Sequence, residues 1–130
     1  MFLSKLNKAQ RESFMALVTK MAMADGKVVV EEDSYLARLA DLYGHDLNVP
    51  PQEVFGATNV TPFDTRGSQI LTVIGMLAVA YADEKFHADE SIVLQETVTA
   101  FGFSEDEVRH MKILARAEAD ISSEIDAFIG

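Results

Sequence analysis

The chain has 130 residues, 48% of them hydrophobic, enough for one domain with a substantial core and too apolar for a disordered segment. It has no cysteine, so disulfides and thiolate metal sites are excluded, and this fits a reducing compartment. A net charge of −10 opposes nonspecific binding to a nucleic-acid backbone or an anionic membrane face and favours cations or basic partners.

The N-terminal stretch Met1–Lys5 lacks an apolar core of signal-peptide length, and Arg11 and Glu12 keep the adjoining residues from supplying one. The longest apolar run, Ile70–Ala82, is too short to span a bilayer. The expectation is a soluble, cytoplasmic protein with no direct membrane insertion and no nucleic-acid partner.

In chain order, a first helix is predicted from about Asn7 to Ala24, with Asn7 and Gln10 as a capping box. Phe14, Leu17, Val18 and Met21 recur on it at helical spacing. Gly26 stands where a left-handed cap belongs. A second helix, Glu31–Tyr43, opens with Glu31, Glu32 and Asp33 at the positive end of its dipole, presents Leu36, Leu39, Ala40 and Tyr43 inward, and stops at Gly44. Pro50 and Pro51 impose an extended approach to a short third helix reaching Phe55. Gly56–Val60 reads as loop, and Thr61-Pro62-Phe63-Asp64 as a helix start with Thr61 as cap.

The fourth helix, about Ser68–Ala82, is apolar nearly all round and belongs at the centre of the fold; Gly67 sets a short first turn apart from it, and Gly75 admits a close neighbour. A fifth helix spans about Ala88–Phe101. Ser104 with Glu107 caps a sixth that carries Val108, Met111, Ile113, Leu114 and Ala115. A last short helix opens at Asp120 or Ser122, with Ile125, Phe128 and Ile129 closing the core. No stretch alternates as a strand does. The methionines read as core filler.

One stretch is written twice. Residues 22–44 and 80–102 match at one constant offset: Ala22/Ala80, Ala24/Ala82, Asp25/Asp83, Lys27/Lys85, Glu32/Glu90, Leu36/Leu94 and Gly44/Gly102 are identical. Such duplication implies two copies of a helix-turn-helix unit. Asp25 and Asp83 each follow a predicted helix C-terminus, where the dipole disfavours negative charge, so each needs a compensating partner. Lys27 and Lys85 offer one, and an Asx turn onto the next helix offers another. A hard divalent cation (Ca²⁺, Mg²⁺ or Mn²⁺) is the third, with Glu32 and Glu90 folding back as further ligands.

Aligning Asp25 with the fifth position of an EF-hand loop puts Gly26 and Glu32 on its glycine and bidentate acid. It also puts Met21 and Met23 on ligand positions, with Val79 and Tyr81 there in the second copy, so neither copy is an EF-hand. A site pooling both turns is the more credible one.

Ala24-Asp25-Gly26-Lys27-Val28 through Glu32, with its second copy from Ala82 and Asp83 through Phe86 and Glu90 to Phe101-Gly102-Phe103-Ser104, resembles the TerB-like (tellurite-resistance) domain family over nearly the whole chain. The resemblance implies an all-α single domain, residues 1–130, of about seven helices in two related halves. It implies a metal site at Asp25, Glu32, Asp83 and Glu90 and a context of tellurite or stress resistance. Glu31, Glu84, Asp89 and His87 stand beside these acids as secondary donors, and the expectation is a non-enzymatic protein that acts through protein partners. A similar domain is fused to some membrane-anchored DnaJ-like co-chaperones. Glu84 departs from the pattern by replacing a glycine, and adds a carboxylate to the second turn.

Two rival readings stand beside it. One is a protein-interaction module whose acids are purely structural. The other is a di-iron carboxylate protein, from the pairs Glu84/His87 and Glu107/His110; that chemistry requires both pairs on inward-facing helices. His45 reads as a solvated loop residue. No nucleophile–base pair and no phosphate-cradling glycine loop stands out.

Overall fold

A computed structural model describes residues 5–24, 56, 59–82 and 91–130. Among them are four helices and no strand: α1 (Lys8–Ala24), α2 (Arg66–Ala82), α3 (Ile92–Phe101) and α4 (Glu105–Ile129). The all-α expectation holds over these residues. The predicted second and third helices, Gly26, Gly44, His45 and the repeated turns lie outside the described residues.

α1 starts where its capping box sets it: the Asn7 N–H donates to Gln10 Oε1 at 3.0 Å, and the Gln10 N–H to Asn7 Oδ1 at 2.8 Å. Its Phe14, Leu17, Val18 and Met21 are buried, as their spacing requires.

α2 is the centre. Val73, Met76, Leu77, Ala78, Val79 and Ala80 are buried together. The helix packs most extensively on α4 and also touches α1 and α3. Thr72 and Thr97 lie fully inside this core because each hydroxyl donates to the carbonyl one turn earlier, Ser68 O and Val93 O, both at 2.8 Å.

The start of α2 differs from the sequence expectation. Thr61 does not cap it; residues 61–62 form a turn closed by the Phe63 N–H on Val60 O at 3.1 Å. The cap is Thr65, whose Oγ1 accepts from the Ser68 N–H at 3.1 Å while Ser68 Oγ accepts from the Thr65 N–H at 3.2 Å. Gly67 therefore lies inside the first turn of α2 instead of separating a turn from it. The reason is Phe63: its ring, 2% exposed, packs edge-on to Phe101 at 5.9 Å, and the chain needs two further residues to turn from that anchor into the helix.

α3 begins at Ile92 and not at Ala88, with Ser91 as N-cap accepting from the Leu94 N–H at 3.2 Å. It ends at Gly102 (φ 69°, ψ 33°), a left-handed conformation that glycine adopts without a Cβ penalty. The Gly102 N–H bonds Thr99 O at 3.0 Å and the Phe103 N–H bonds Val98 O at 3.3 Å, which satisfy two of the terminal carbonyls.

α4 runs 25 residues without interruption, so the separate last helix at Asp120 or Ser122 does not exist. No glycine or proline falls between Ser104 and Gly130, and serines alone do not end a helix. Among the described side chains of α4, one stripe, Met111, Ala115 and Ala119, is buried. Ile125, Phe128 and Ile129, which the sequence pattern assigns to the interior, are exposed, because continuing the helix carries its end beyond the core; Ile113 and Leu114 are exposed because they lie on other faces of α4 than the buried stripe.

The relocated cap gives a direct test. Thr65→Ala is expected to lower unfolding stability by about 1 kcal/mol, whereas Thr61→Ala should change it by less than about 0.5 kcal/mol, measured by urea denaturation. A second test probes the α2–α4 contact. Ala115→Leu forces methylenes into a fully buried position and should cost about 1–3 kcal/mol in the same assay.

Candidate functional site

The predicted ligands Asp25, Glu32, Asp83 and Glu90, and the secondary donors Glu31, Glu84, Asp89 and His87, lie outside the described residues. The structure describes what flanks them. α1 ends at Ala24 and α2 at Ala82, so each repeated aspartate is the residue that comes directly after a helix. The acid-bearing stretch 83–90 leads from the end of α2 to Ser91, the 4% exposed N-cap of α3, so the chain returns to the core directly after Glu90.

The two helices that lead to the repeated turns begin side by side. Gln10, in the first turn of α1, is 6% exposed and donates through Nε2 to Pro62 O at 3.1 Å and to Asp64 Oδ1 at 3.4 Å, just before α2 begins. Farther along α1, Lys20 Nζ donates to Gly56 O. Both helices contain 17 residues. Near the far end of α2, the Arg116 guanidinium of α4 lies over the Tyr81 ring, 4.0 Å from its centroid. Among the described residues, no cluster of three or more His, Asp or Glu side chains is placed to hold a metal ion.

The best-formed polar constellation joins three helix ends. Arg66, at the start of α2, donates from Nη1 to Phe101 O at 2.7 Å, the last residue of α3, where terminal carbonyls favour a cation. Its Nη2 pairs with Glu107 Oε2 at 3.2 Å, and its Cζ lies 3.9 Å from the centroid of the Phe103 ring. Glu107 in turn accepts from the Ser104 N–H at 2.9 Å, while the Glu107 N–H donates to Ser104 Oγ at 3.1 Å, the capping box expected for this helix. The Ser104 backbone N–H, with support from the Ser104 hydroxyl and Arg66, holds the Glu107 carboxyl below its ordinary range.

This arrangement is structural. Glu107 and His110 are both exposed in the first turns of α4, so this pair does not face a bundle interior as di-iron chemistry requires. Sequence reasoning missed Arg66; the only signal was a cation immediately before the apolar run of α2, next to nothing that marked its partners. Beside the junction, Val98, Phe103 and Val108 floor an open groove rimmed by Glu105, Arg109 and Lys112, where Arg109 is already paired with Asp106 at 2.8 Å.

Residues 63–113 match the model of a protein family described as tellurite resistance protein TerB. Over this stretch, which spans α2, α3 and the first part of α4 and contains the second copy of the repeated motif, the chain is similar to that family, in line with the resemblance read from the motif. No curated protein and no solved structure matches the chain.

A carboxyl held low when folded stabilises the protein above the usual carboxylate range, and that stabilisation is lost as pH falls through the lowered value. Glu107→Gln removes the titration while keeping an acceptor for the Ser104 N–H. The urea midpoint should therefore fall less in Glu107→Gln than in the wild type between about pH 5 and about pH 3.

Proposed function

We propose that this TerB-like chain binds a hard divalent cation (calcium, magnesium or manganese) through Asp25, Glu32, Asp83 and Glu90, with Glu31, Glu84, Asp89 and His87 as secondary donors. It catalyses no reaction and acts in a tellurite or stress response through protein partners. The observation that carries the reading is the arrangement of α1 and α2. Their starts adjoin through Gln10, they touch, and each contains 17 residues ending directly before a repeated aspartate. Helices of equal length advance the chain by the same distance, about 25 Å. Starting together, they favour turns that approach a common pole, where carboxylates from both copies can share one ion.

The chemistry is consistent with that geometry. Acid at a helix C-terminus is destabilised by the dipole, and a divalent cation shared between two such ends removes the cost at both. The family match supports the tellurite-resistance context and covers Asp83 and Glu90 of the second copy.

Isothermal titration calorimetry of the purified chain with calcium, magnesium and manganese in turn provides the test. Saturable binding is expected. Asp25→Ala and Asp83→Ala should each weaken it by about tenfold or more, equal to about 1.4 kcal/mol. Loss in only one variant contradicts a pooled site. Absence of uptake of any of the three ions leaves the lysines Lys27 and Lys85 or an Asx turn as the partners of the two aspartates and overturns the proposal.

A further inference from the structure

From Leu114 onward, α4 presents an apolar flank that none of the other described helices buries. Leu114, Ile121, Ile125 and Phe128 succeed one another at seven, four and three residues, the spacing that lines one side of a helix. They are 44%, 54%, 52% and 93% exposed. This seam lies beside the buried stripe of Met111, Ala115 and Ala119 without coinciding with it, so contact with α2 leaves it open. Four large apolar side chains in one row are more than the scattered exposure ordinary for a surface.

Charge identifies the occupant. Glu118 fills the seam position between Leu114 and Ile121, Glu107 precedes Leu114 in the same register, and Glu124 borders the seam beside Ile121 and Phe128. Among the described residues, Glu118 and Glu124 make no ion pair. The lysine and arginines of α4 stand elsewhere: Arg109 pairs with Asp106, Lys112 lines the groove formed with Val98, Phe103 and Val108, and Arg116 lies over Tyr81. A second copy laid along this seam would bring acid against acid between two chains of net charge −10. An anionic bilayer meets the same repulsion. A helix with an apolar stripe flanked by lysine or arginine meets neither obstacle.

We propose that the α4 flank formed by Leu114, Ile121, Ile125 and Phe128 docks a basic amphipathic helix of a partner protein, with Glu118 as the acid that pairs with a partner cation inside the seam. This deepens the partner half of the function proposed above and does not depend on the cation half, so its test is run in excess chelator.

The probe is a fluorescein-labelled helical peptide of leucine and lysine in heptad order, titrated with the full chain at about 0.15 M salt and monitored by anisotropy. Saturable binding is expected, weakened by about tenfold or more in Ile121→Asp and Ile125→Asp. Glu118→Lys should weaken it similarly and should bind better than the wild type to a peptide with glutamate in place of lysine. Helix content by circular dichroism should be unchanged in each variant; Ile125→Ser replaces Ile125→Asp if it is not. The proposal is overturned by any of four results. These are no saturable binding, equal binding by wild type and seam variants, a wild-type dimer in light scattering that Ile125→Asp dissolves, or co-flotation with phosphatidylserine vesicles that requires Ile125.

Discussion

The structure depends on the burial of one helix. α2 is apolar on every side from Ile70 to Ala82 and cannot face water on any of them without losing the hydrophobic stabilisation that drives folding. It needs neighbours all round, and α1, α3 and α4 each supply one. Residues fully enclosed there, such as Val73, Met76 and Ala78, leave no space for hydration, and the two buried threonines inside the same core satisfy their hydroxyls within their own helices.

Polar contacts then set the order and angle of the surrounding pieces. Each described helix starts on a side-chain cap: Asn7, Thr65, Ser91 and Ser104. Caps of this kind are local and modest in energy, but they fix where the chain stops turning and begins to coil. Arg66 works over a longer range. Its planar guanidinium reaches a terminal carbonyl of α3, the capping glutamate of α4 and the face of Phe103 at once, so the starts of α2 and α4 and the end of α3 form one joint. Gln10 makes a smaller joint of the same type between α1 and the approach to α2. Through these two joints, the helices that lead into the repeated turns leave from defined places.

The same core has a boundary, and α4 crosses it. Up to Ala119 the helix packs on α2; beyond that point its apolar side chains have no internal partner among the described residues. A helix that outgrows its core in this way either wastes hydrophobic surface or uses it for association. The acids in and beside the seam, Glu118 and Glu124, set the sign of charge that anything covering it must carry.

Much of this was legible in the residues themselves. Periodicity located α1 and the central α2, and the reciprocal pairs Asn7/Gln10 and Ser104/Glu107 marked two helix starts, because capping is decided within four residues of chain. Gly102 marked a stop for the same local reason. The duplicated turn also showed which acids to consider together, and the stretch matched by the family model contains two of them, Asp83 and Glu90. Tertiary contacts decided the rest. Thr61 and Thr65 offer the chain equivalent hydroxyls, and the choice went to Thr65 because the Phe63 ring is anchored against Phe101. Ile113, Leu114, Ile125 and Phe128 are as apolar as Met111, yet they stay exposed, the first two because α2 covers another face of α4 and the last two because a continuous α4 runs past the core. Hydrophobicity states that a side chain prefers to leave water; only the positions of the other helices determine whether there is anything for it to enter.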